Sequence, residues 1–168
     1  MSRFDIPDAP RLRQFIAQLH RNYALIGGEA LEQLAKHGYK RWHEDNYDGL
    51  WLVHGIRWQG EDLASPAFHT ATIMKQFPDL VRTAAFSVLL PSTDIKPHQG
   101  YSEDVLRLHF GLLTPTLPGC ELVVDGERRS WRDNEVFCFD DTLEHSATNP
   151  TDQLRIILIV DINRRAYG

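Results

Sequence analysis

The stretch VLRLHFGL, residues 105–112, decides the fold of this chain because apolar and polar side chains alternate along it. Successive side chains of a β-strand point to opposite faces of the sheet. The leucines at 106 and 108 and the phenylalanine at 110 therefore share one face, while Arg107 and His109 share the other. The alternation predicts a strand with one packed face and one polar face.

The stretch LRIILIVD, residues 154–161, alternates in the same way and places Arg155 at the start of its second face. Burying an arginine in such an apolar strand is unfavourable unless the side chain meets an anion. A guanidinium group is also well shaped to bind a carboxylate through two hydrogen bonds. In FSVLLP (86–91), Ser87 could present a hydroxyl to the same side. A solvated arginine at a sheet edge is the alternative interpretation.

Short segments with this period of two continue from residue 84 to residue 163, whereas residues 9–23, 28–38 and 65–81 have helical spacing. The pattern predicts a mainly β fold with N-terminal helices, a double-stranded β-helix of the jelly-roll or cupin-like type. We expect one domain over 1–168, in which 1–83 support a catalytic core at 84–163. The predicted strands lie in AAFSVLLP, DVLRLHFGLLTP, CELVVDG, NEVFCFDD, EHSATN and LRIILIVDIN.

Composition excludes several classes of protein. The net charge of −5 argues against a nucleic-acid-binding surface, which needs a basic face. No stretch approaches the roughly 18 apolar residues of a membrane span, and the polar start does not resemble a signal peptide. Cys120 and Cys138 lack the spacing of a zinc pair and are expected to be reduced core residues. We therefore expect a cytoplasmic protein with no membrane or nucleic-acid partner.

The stretch HQGYSEDVLRLHFGL, residues 98–112, resembles part of an iron site. Iron(II) oxygenases often bind the metal through two histidines and one carboxylate. The near carboxylate normally follows the first histidine by two residues, but Gly100 stands there after His98. The residues alone leave open a damaged iron site, a different site or no site. Five other histidines, to which we assign no role, are His20, His37, His43, His54 and His69.

Four motifs occur in order across residues 84–163: H-x-G, L-R-x-H-x-G-L, W-x-x-x-E-V-x-x-F-D-D-x-x-x-H and L-R-x-x-L-x-V-D. Together they resemble the aspartyl/asparaginyl β-hydroxylase family of iron(II)- and 2-oxoglutarate-dependent oxygenases. In that family the glycine is normal, and two histidines bind iron. The resemblance implies that His98 and His145 are the metal ligands. It also implies 2-oxoglutarate contacts from Ser87, Arg107, His109 and Arg155, and a place for Asp141 beside the iron-bound water.

The resemblance implies a dioxygenase that hydroxylates an unactivated carbon of an amino acid, a peptide or a related small metabolite. In such a reaction 2-oxoglutarate becomes succinate and carbon dioxide. Two alternatives stay open. Because Gly100 is small, chloride could bind iron, as in a non-haem iron halogenase. The chain could also be a non-catalytic cupin-like binding module, although the residues at 98, 145 and 155 that catalysis would need are all present.

Overall fold

In this computed structural model, which describes residues 2–167, the chain folds into three helices and two antiparallel β-sheets with twelve strands. The helices are α1 (Pro10–Arg21), α2 (Tyr23–Ala35) and α3 (Phe68–Lys75). The first six strands are β1 (Lys40–Arg41), β2 (Tyr47–Asp48), β3 (Trp51–Trp58), β4 (Glu61–Asp62), β5 (Val81–Leu89) and β6 (Thr93–His98). The others are β7 (Val105–Leu113), β8 (Glu121–Val124), β9 (Glu127–Ser130), β10 (Val136–Phe139), β11 (His145–Asn149) and β12 (Arg155–Asn163).

The connectivity confirms the predicted jelly roll. The larger sheet has the order β1-β3-β5-β12-β7-β10, with β4 beside β3, and the smaller sheet has the order β2-β6-β11-β8-β9. From β5 to β7 and again from β10 to β12, the chain alternates between the two sheets. This alternation closes a double-layered β-structure around an interior.

The larger sheet separates two layers of packing. Its outer face packs against the helices, where Leu108 and Phe110 of β7 meet Phe15 of α1 in one apolar cluster. Its inner face meets the smaller sheet, where Ile157 of β12 packs with Leu122 of β8. The two faces predicted from the alternation in β7 and β12 are therefore confirmed.

The N-terminal half differs in detail from the helical pattern. Helix α2 begins at Tyr23, before the predicted 28–38, and buries Ile26 and Ala30, while Leu31 remains 46% exposed. Residues 40–62 contribute strands to both sheets, and β3 lies within residues 47–60, where the Trp, Val and Ile content favours a strand or hairpin. Strand β3 lies directly beside β5 and so helps to form the wall of the interior.

Two expectations from composition can be compared with the structure. Cys120 and Cys138 are both buried and free, as predicted. Burial raises the pKa of the Cys120 thiol to about 11 and that of Cys138 to about 12, so both thiols are protonated and unreactive at neutral pH. Of the helices within residues 2–167, none has the length and apolar character that crossing a bilayer requires.

Candidate active site

A small, partly open pocket lies between the two sheets. Its lining includes six of the seven residues that the sequence suggested for a site, although they come from five different strands. Asp141 is the seventh, and it lies behind the lining in contact with one of the six. The six that line the pocket are Ser87, His98, Arg107, His109, His145 and Arg155.

The fold brings His98 and His145 together by strand pairing. The two residues are direct partners in the antiparallel register of β6 and β11, and their ring centroids are 4.2 Å apart. His98 Nδ1 donates to the Lys96 carbonyl at 2.7 Å, and His145 Nδ1 donates to the Leu143 carbonyl at 2.8 Å. In a neutral ring with its proton on Nδ1, Nε2 keeps its lone pair. This is the arrangement that orients histidines as metal ligands.

The charge state of His145 also suits a metal ligand. Burial, together with the nearby His98, lowers the pKa of His145 to about 4, so its imidazole is neutral at physiological pH. Within residues 2–167, no group of three or more histidine, cysteine or carboxylate side chains is arranged to bind a metal. The donors that this region offers are therefore two imidazoles, a set that leaves several metal positions for other ligands.

Arg155 is a buried cation at the inner end of the pocket. Its side chain is 2% exposed, and Nη2 donates to Ser87 Oγ at 2.8 Å. Its Nε has no hydrogen-bond partner, and no carboxylate of residues 2–167 forms an ion pair with it. Burial lowers the pKa of Arg155 to about 10, which still leaves it charged at neutral pH. A buried charge without a counter-ion is strongly unfavourable unless an anion binds beside it.

Ser87 is oriented by two donors. Its Oγ accepts from Arg155 Nη2 and also from Trp51 Nε1 at 2.9 Å. A hydroxyl oxygen has two lone pairs and one hydrogen. With both lone pairs engaged, the hydroxyl hydrogen of Ser87 is left to donate to an acceptor in the pocket.

Arg107 is in a different environment from Arg155. It forms a two-point ion pair with Asp161, through Nε at 2.8 Å and Nη2 at 3.0 Å, and Nη2 also lies 3.2 Å from Asp141 Oδ2. Burial opposes its charge, but Asp161 and Asp141 together raise its pKa above the usual value. Arg107 thus already has its counter-charges, and Arg155 is the arginine that lacks one.

His109 lies on β7 two residues after Arg107 and lines the same pocket. Its Nδ1 accepts a hydrogen bond from Trp131 Nε1 at 3.1 Å, and its buried Nε2 has no hydrogen-bond partner within residues 2–167. Burial lowers the pKa of His109 well below its ordinary value, and the charges of Arg155 and Arg107 act in the same direction. His109 is therefore neutral.

Gly100 and Asp141 are packed against each other. The Gly100 amide donates to the Asp141 carbonyl at 2.6 Å. A Cβ atom added to Gly100 would lie 2.3 Å from Asp141 Oδ2. The side chain of Asp141 is almost fully buried, and its Oδ1 has no hydrogen-bond partner among the described residues. Burial raises the pKa of Asp141, against the opposing charge of Arg107.

Sequence reasoning missed Trp51 and Trp131, which both line the pocket. Trp51 donates to Ser87, and Trp131 donates to His109 while its ring lies 4.6 Å from the Arg155 guanidinium. Tryptophan is usually a packing residue, so its type alone gave no signal. For Trp131 the available signal was its position at the start of the W-x-x-x-E-V motif.

The site has the groups that iron(II) and 2-oxoglutarate need. Two imidazoles that donate from Nδ1 to backbone carbonyls, and so can offer Nε2, fit a divalent iron. The buried and unpaired Arg155, the hydroxyl of Ser87 and the unpartnered Nε2–H of His109 fit the two carboxylates of a dicarboxylic acid. The chemistry of these donors thus agrees with that pair of groups.

Comparisons with known proteins show which proteins this chain is similar to. A family model described as aspartyl/asparaginyl beta-hydroxylase matches residues 20–165. The aspartyl/asparaginyl beta-hydroxylase of Homo sapiens is 30% identical over 159 residues, which cover 89% of this chain and 21% of the relative. The ornithine lipid ester-linked acyl 2-hydroxylase of Rhizobium tropici is 38% identical over 112 residues, which cover 66% of this chain and 38% of the relative. The chain thus spans only a part of the length of these relatives.

A solved structure shares the fold over almost its whole length. An oxidoreductase of the 2OG-Fe(II) oxygenase family from Burkholderia pseudomallei aligns with a TM-score of 0.59 at 14% identity. The alignment covers 98% of this chain and 96% of that protein, which supports the double-stranded β-helix. Because the family model spans most of the sequence, the chain belongs to the aspartyl/asparaginyl β-hydroxylase family, a family of iron(II)- and 2-oxoglutarate-dependent oxygenases.

Proposed function

We propose that this protein hydroxylates a carbon atom of a small molecule or peptide, using iron(II), 2-oxoglutarate and dioxygen. The observation that carries the proposal is Arg155, a buried cation without a carboxylate partner in residues 2–167, which shares one pocket with His98 and His145. An anion that also reaches the metal would satisfy both features. 2-Oxoglutarate has a carboxylate at each end and a keto oxygen beside one of them.

In this proposal His98 and His145 hold the metal through Nε2. Their Nδ1 hydrogen bonds to the Lys96 and Leu143 carbonyls keep the two rings in the required tautomer. The pairing of β6 with β11 fixes the distance between the rings. Metal binding should therefore need little rearrangement of the backbone.

The proposed cosubstrate contacts divide into two groups. Arg155 and Ser87 bind the distal C5 carboxylate through a charge-assisted hydrogen bond and the free hydroxyl hydrogen. Arg107 and His109 serve the C1 end, with His109 donating through Nε2. When bound, iron(II) and 2-oxoglutarate would supply the oxidising chemistry that inserts one oxygen atom of dioxygen into a C–H bond. The other oxygen atom would end in succinate, which forms from 2-oxoglutarate with loss of carbon dioxide.

The remaining wall of the pocket limits access of water. Ile95, Leu122, Phe139 and Ile159 are apolar residues that line it. A dry lining strengthens the ion pair with Arg155 and suppresses side reactions of the oxidant.

The names of the relatives suggest a common feature of the substrate. The β-carbon of an aspartyl or asparaginyl residue and the 2-position of an acyl ester are each bonded to a carbonyl carbon. We therefore propose that the target is a carbon next to a carboxylate, amide or ester carbonyl. The substrate should be bound by residues 40–60 and by the loop 100–105. The cytoplasmic location, and the division of a single domain into residues 1–83 and 84–163, stay predictions.

The position of Asp141 argues against the halogenase alternative. That alternative depends on Gly100 leaving room for chloride, but the carboxylate of Asp141 fills the space where a side chain at Gly100 would begin. A negative group there also repels a halide. The unpaired Arg155 argues in turn against a binding module that has lost its cosubstrate.

The test is a panel assay with iron(II), 2-oxoglutarate and dioxygen. One arm contains free amino acids and aspartyl or asparaginyl peptides, and the other contains acyl esters. We expect one compound to gain one oxygen atom, with one succinate formed for each product molecule. If the protein binds iron(II) but 2-oxoglutarate neither binds nor is consumed, the proposal is wrong. A chlorinated product would favour the halogenase.

A further inference from the structure

We propose that Trp131 is a positioning residue that fixes His109 as its Nε2–H tautomer, so that His109 donates a hydrogen bond to 2-oxoglutarate. The inference rests on the proposed function for the identity of the acceptor. The role of Trp131 itself rests on contacts within this chain, which can be measured without iron or cosubstrate.

The hydrogen bond between the two side chains determines the tautomer. An indole N–H can only donate, and Trp131 Nε1 lies 3.1 Å from His109 Nδ1. Nδ1 must therefore accept and cannot carry a proton. A neutral imidazole has one N–H, which is then on Nε2. The same bond excludes the doubly protonated imidazolium, in agreement with the lowered pKa of His109.

The resulting Nε2–H is a buried donor that the fold leaves unpaired. His109 is 5% exposed, and its Nε2 has no hydrogen-bond partner within residues 2–167. Buried donors are normally paired in folded proteins, so an unpaired one facing a pocket indicates a ligand acceptor. Arg155 Nε, in the same pocket, also lacks a partner. The two unpaired donors suit one anionic ligand.

Trp131 can hold His109 because the segments that carry them are tied together. The Gly111 amide on β7 donates to the Glu135 carbonyl at 3.0 Å, and the Asn134 amide donates to the Gly111 carbonyl at 2.9 Å. A Cβ atom on Gly111 would lie 2.0 Å from the carbonyl oxygen of Arg132, so only glycine permits this approach. The indole of Trp131 is thereby fixed next to the strand that presents His109.

The first test measures the tautomer by ¹⁵N NMR of the metal-free protein at neutral pH. The parent should show His109 as the Nε2–H tautomer, with a scalar coupling across the hydrogen bond to the indole nitrogen of Trp131. The signals are assigned by their loss in His109→Ala. A parent with the proton on Nδ1, or with a doubly protonated ring, would overturn the proposal, and this measurement requires no variant at position 131.

The second test is a double-mutant cycle for 2-oxoglutarate binding, measured by calorimetry on the iron(II) protein without oxygen. Trp131→Phe keeps an aromatic ring against Arg155 but removes the N–H. Since hydrogen bonds to charged groups are among the stronger ones, we expect Trp131→Phe to weaken binding about tenfold in the parent. In a His109→Ala background it should change binding less than about twofold, because Trp131 acts through His109.

Trp51→Phe is the matched control, since it removes the other indole donor of the pocket without contacting His109. It should leave the His109 tautomer unchanged. Equal losses from Trp131→Phe in both backgrounds would show a general packing role and overturn the proposal. So would a parent-like affinity in Trp131→Phe. A parent that shows the expected tautomer and coupling but binds no 2-oxoglutarate would instead contradict the proposed function.

Discussion

The carboxylate of Asp141 occupies the space into which a side chain at Gly100 would project, with Oδ2 only 2.3 Å from the position of a Cβ atom. In iron sites with a near carboxylate, that group follows the first histidine by two residues, which here is the position of Gly100. Although Gly100 replaces the near carboxylate, this region still contains a carboxylate group. A carboxylate approaches the same place from the loop that precedes β11, four residues before His145.

Gly100→Ala should displace Asp141 and lower the free energy of unfolding by about 1–3 kcal/mol, the usual cost of overpacking. Gly100→Asp should be at least as destabilising and should not increase turnover. The measurements are urea unfolding and 2-oxoglutarate consumption. Gly27→Ala is the control, because a Cβ there meets no atom within 4 Å and alanine suits a helix. Faster coupled hydroxylation by Gly100→Asp would mean that the parent is a degraded triad.

Arg155→Ala should weaken 2-oxoglutarate binding by about 2–5 kcal/mol, because it removes one partner of a buried charge pair. Arg155→Lys should recover only part of the loss, since lysine lacks the planar fork. Binding is measured by titration of the iron(II) protein under anaerobic conditions. Arg128→Ala, at an exposed position on β9, is the control and should bind like the parent. A normal affinity in Arg155→Ala with no binding in Arg107→Ala would show that Arg107 is the anchor.

The double variant His98→Ala, His145→Ala should lose iron(II), because water cannot replace two oriented imidazoles. The parent should bind about one iron per chain, as determined by metal analysis after anaerobic loading and desalting. His69→Ala, which changes an exposed histidine, should keep the metal. Undiminished loading of the double variant would refute both ligand assignments.

Asp141→Asn should keep iron loading within about twofold of the parent but slow turnover about tenfold, the scale of changes beside metal ligands. The reason is that the carboxylate is buried near the site with an unpartnered Oδ1, while Arg107 retains Asp161 as its counter-charge. Iron content and the initial rate of succinate formation are the two measurements. Asp152→Asn changes an exposed carboxylate and is the control. If Asp141→Asn turns over at the parent rate, Asp141 has only a structural role in the loop that precedes β11.

Metal-free protein should lose stability as pH falls below about 6.5. Below that pH the imidazoles of His109 and His145 become protonated in the unfolded chain. In the folded protein they stay neutral, because the pKa of His145 is lowered to about 4 and that of His109 is lowered strongly. The unfolded state binds more protons in this window, so acidification favours unfolding. Urea unfolding at about pH 7.5 and about pH 5 measures the effect. His109→Gln should reduce the slope, and equal stability at both pH values would contradict the prediction.

The sequence predicted the fold where alternation was strong. In β7 and β12 one face packs against the helices. The other face, which carries Arg107 and His109 in β7 and Arg155 in β12, lines the pocket, as a period of two requires. Strand β6 was not predicted, although it carries His98. Its exposed Asp94 and Lys96, followed by Pro97, give a weak strand signal, because only one of its faces is packed.

The partners of the site residues could not be predicted from local pattern. The hydrogen bond from Trp131 to His109 joins residues 22 positions apart, and the ion pair between Arg107 and Asp161 joins residues 54 positions apart. Motif order suggested which residues belong to one site. Which arginine is neutralised and which is unpaired depends on tertiary contacts that a single sequence does not contain.

The unpaired charge of Arg155 also affects the thermal stability of the protein. A ligand that neutralises a buried cation binds the native state far better than the unfolded chain, so the melting temperature rises with the logarithm of the ligand concentration once the site is saturated. Without such an anion the folded chain is less stable and more open to proteolysis. The melting temperature of the protein should thus rise when 2-oxoglutarate is added, if that anion binds beside Arg155 as proposed.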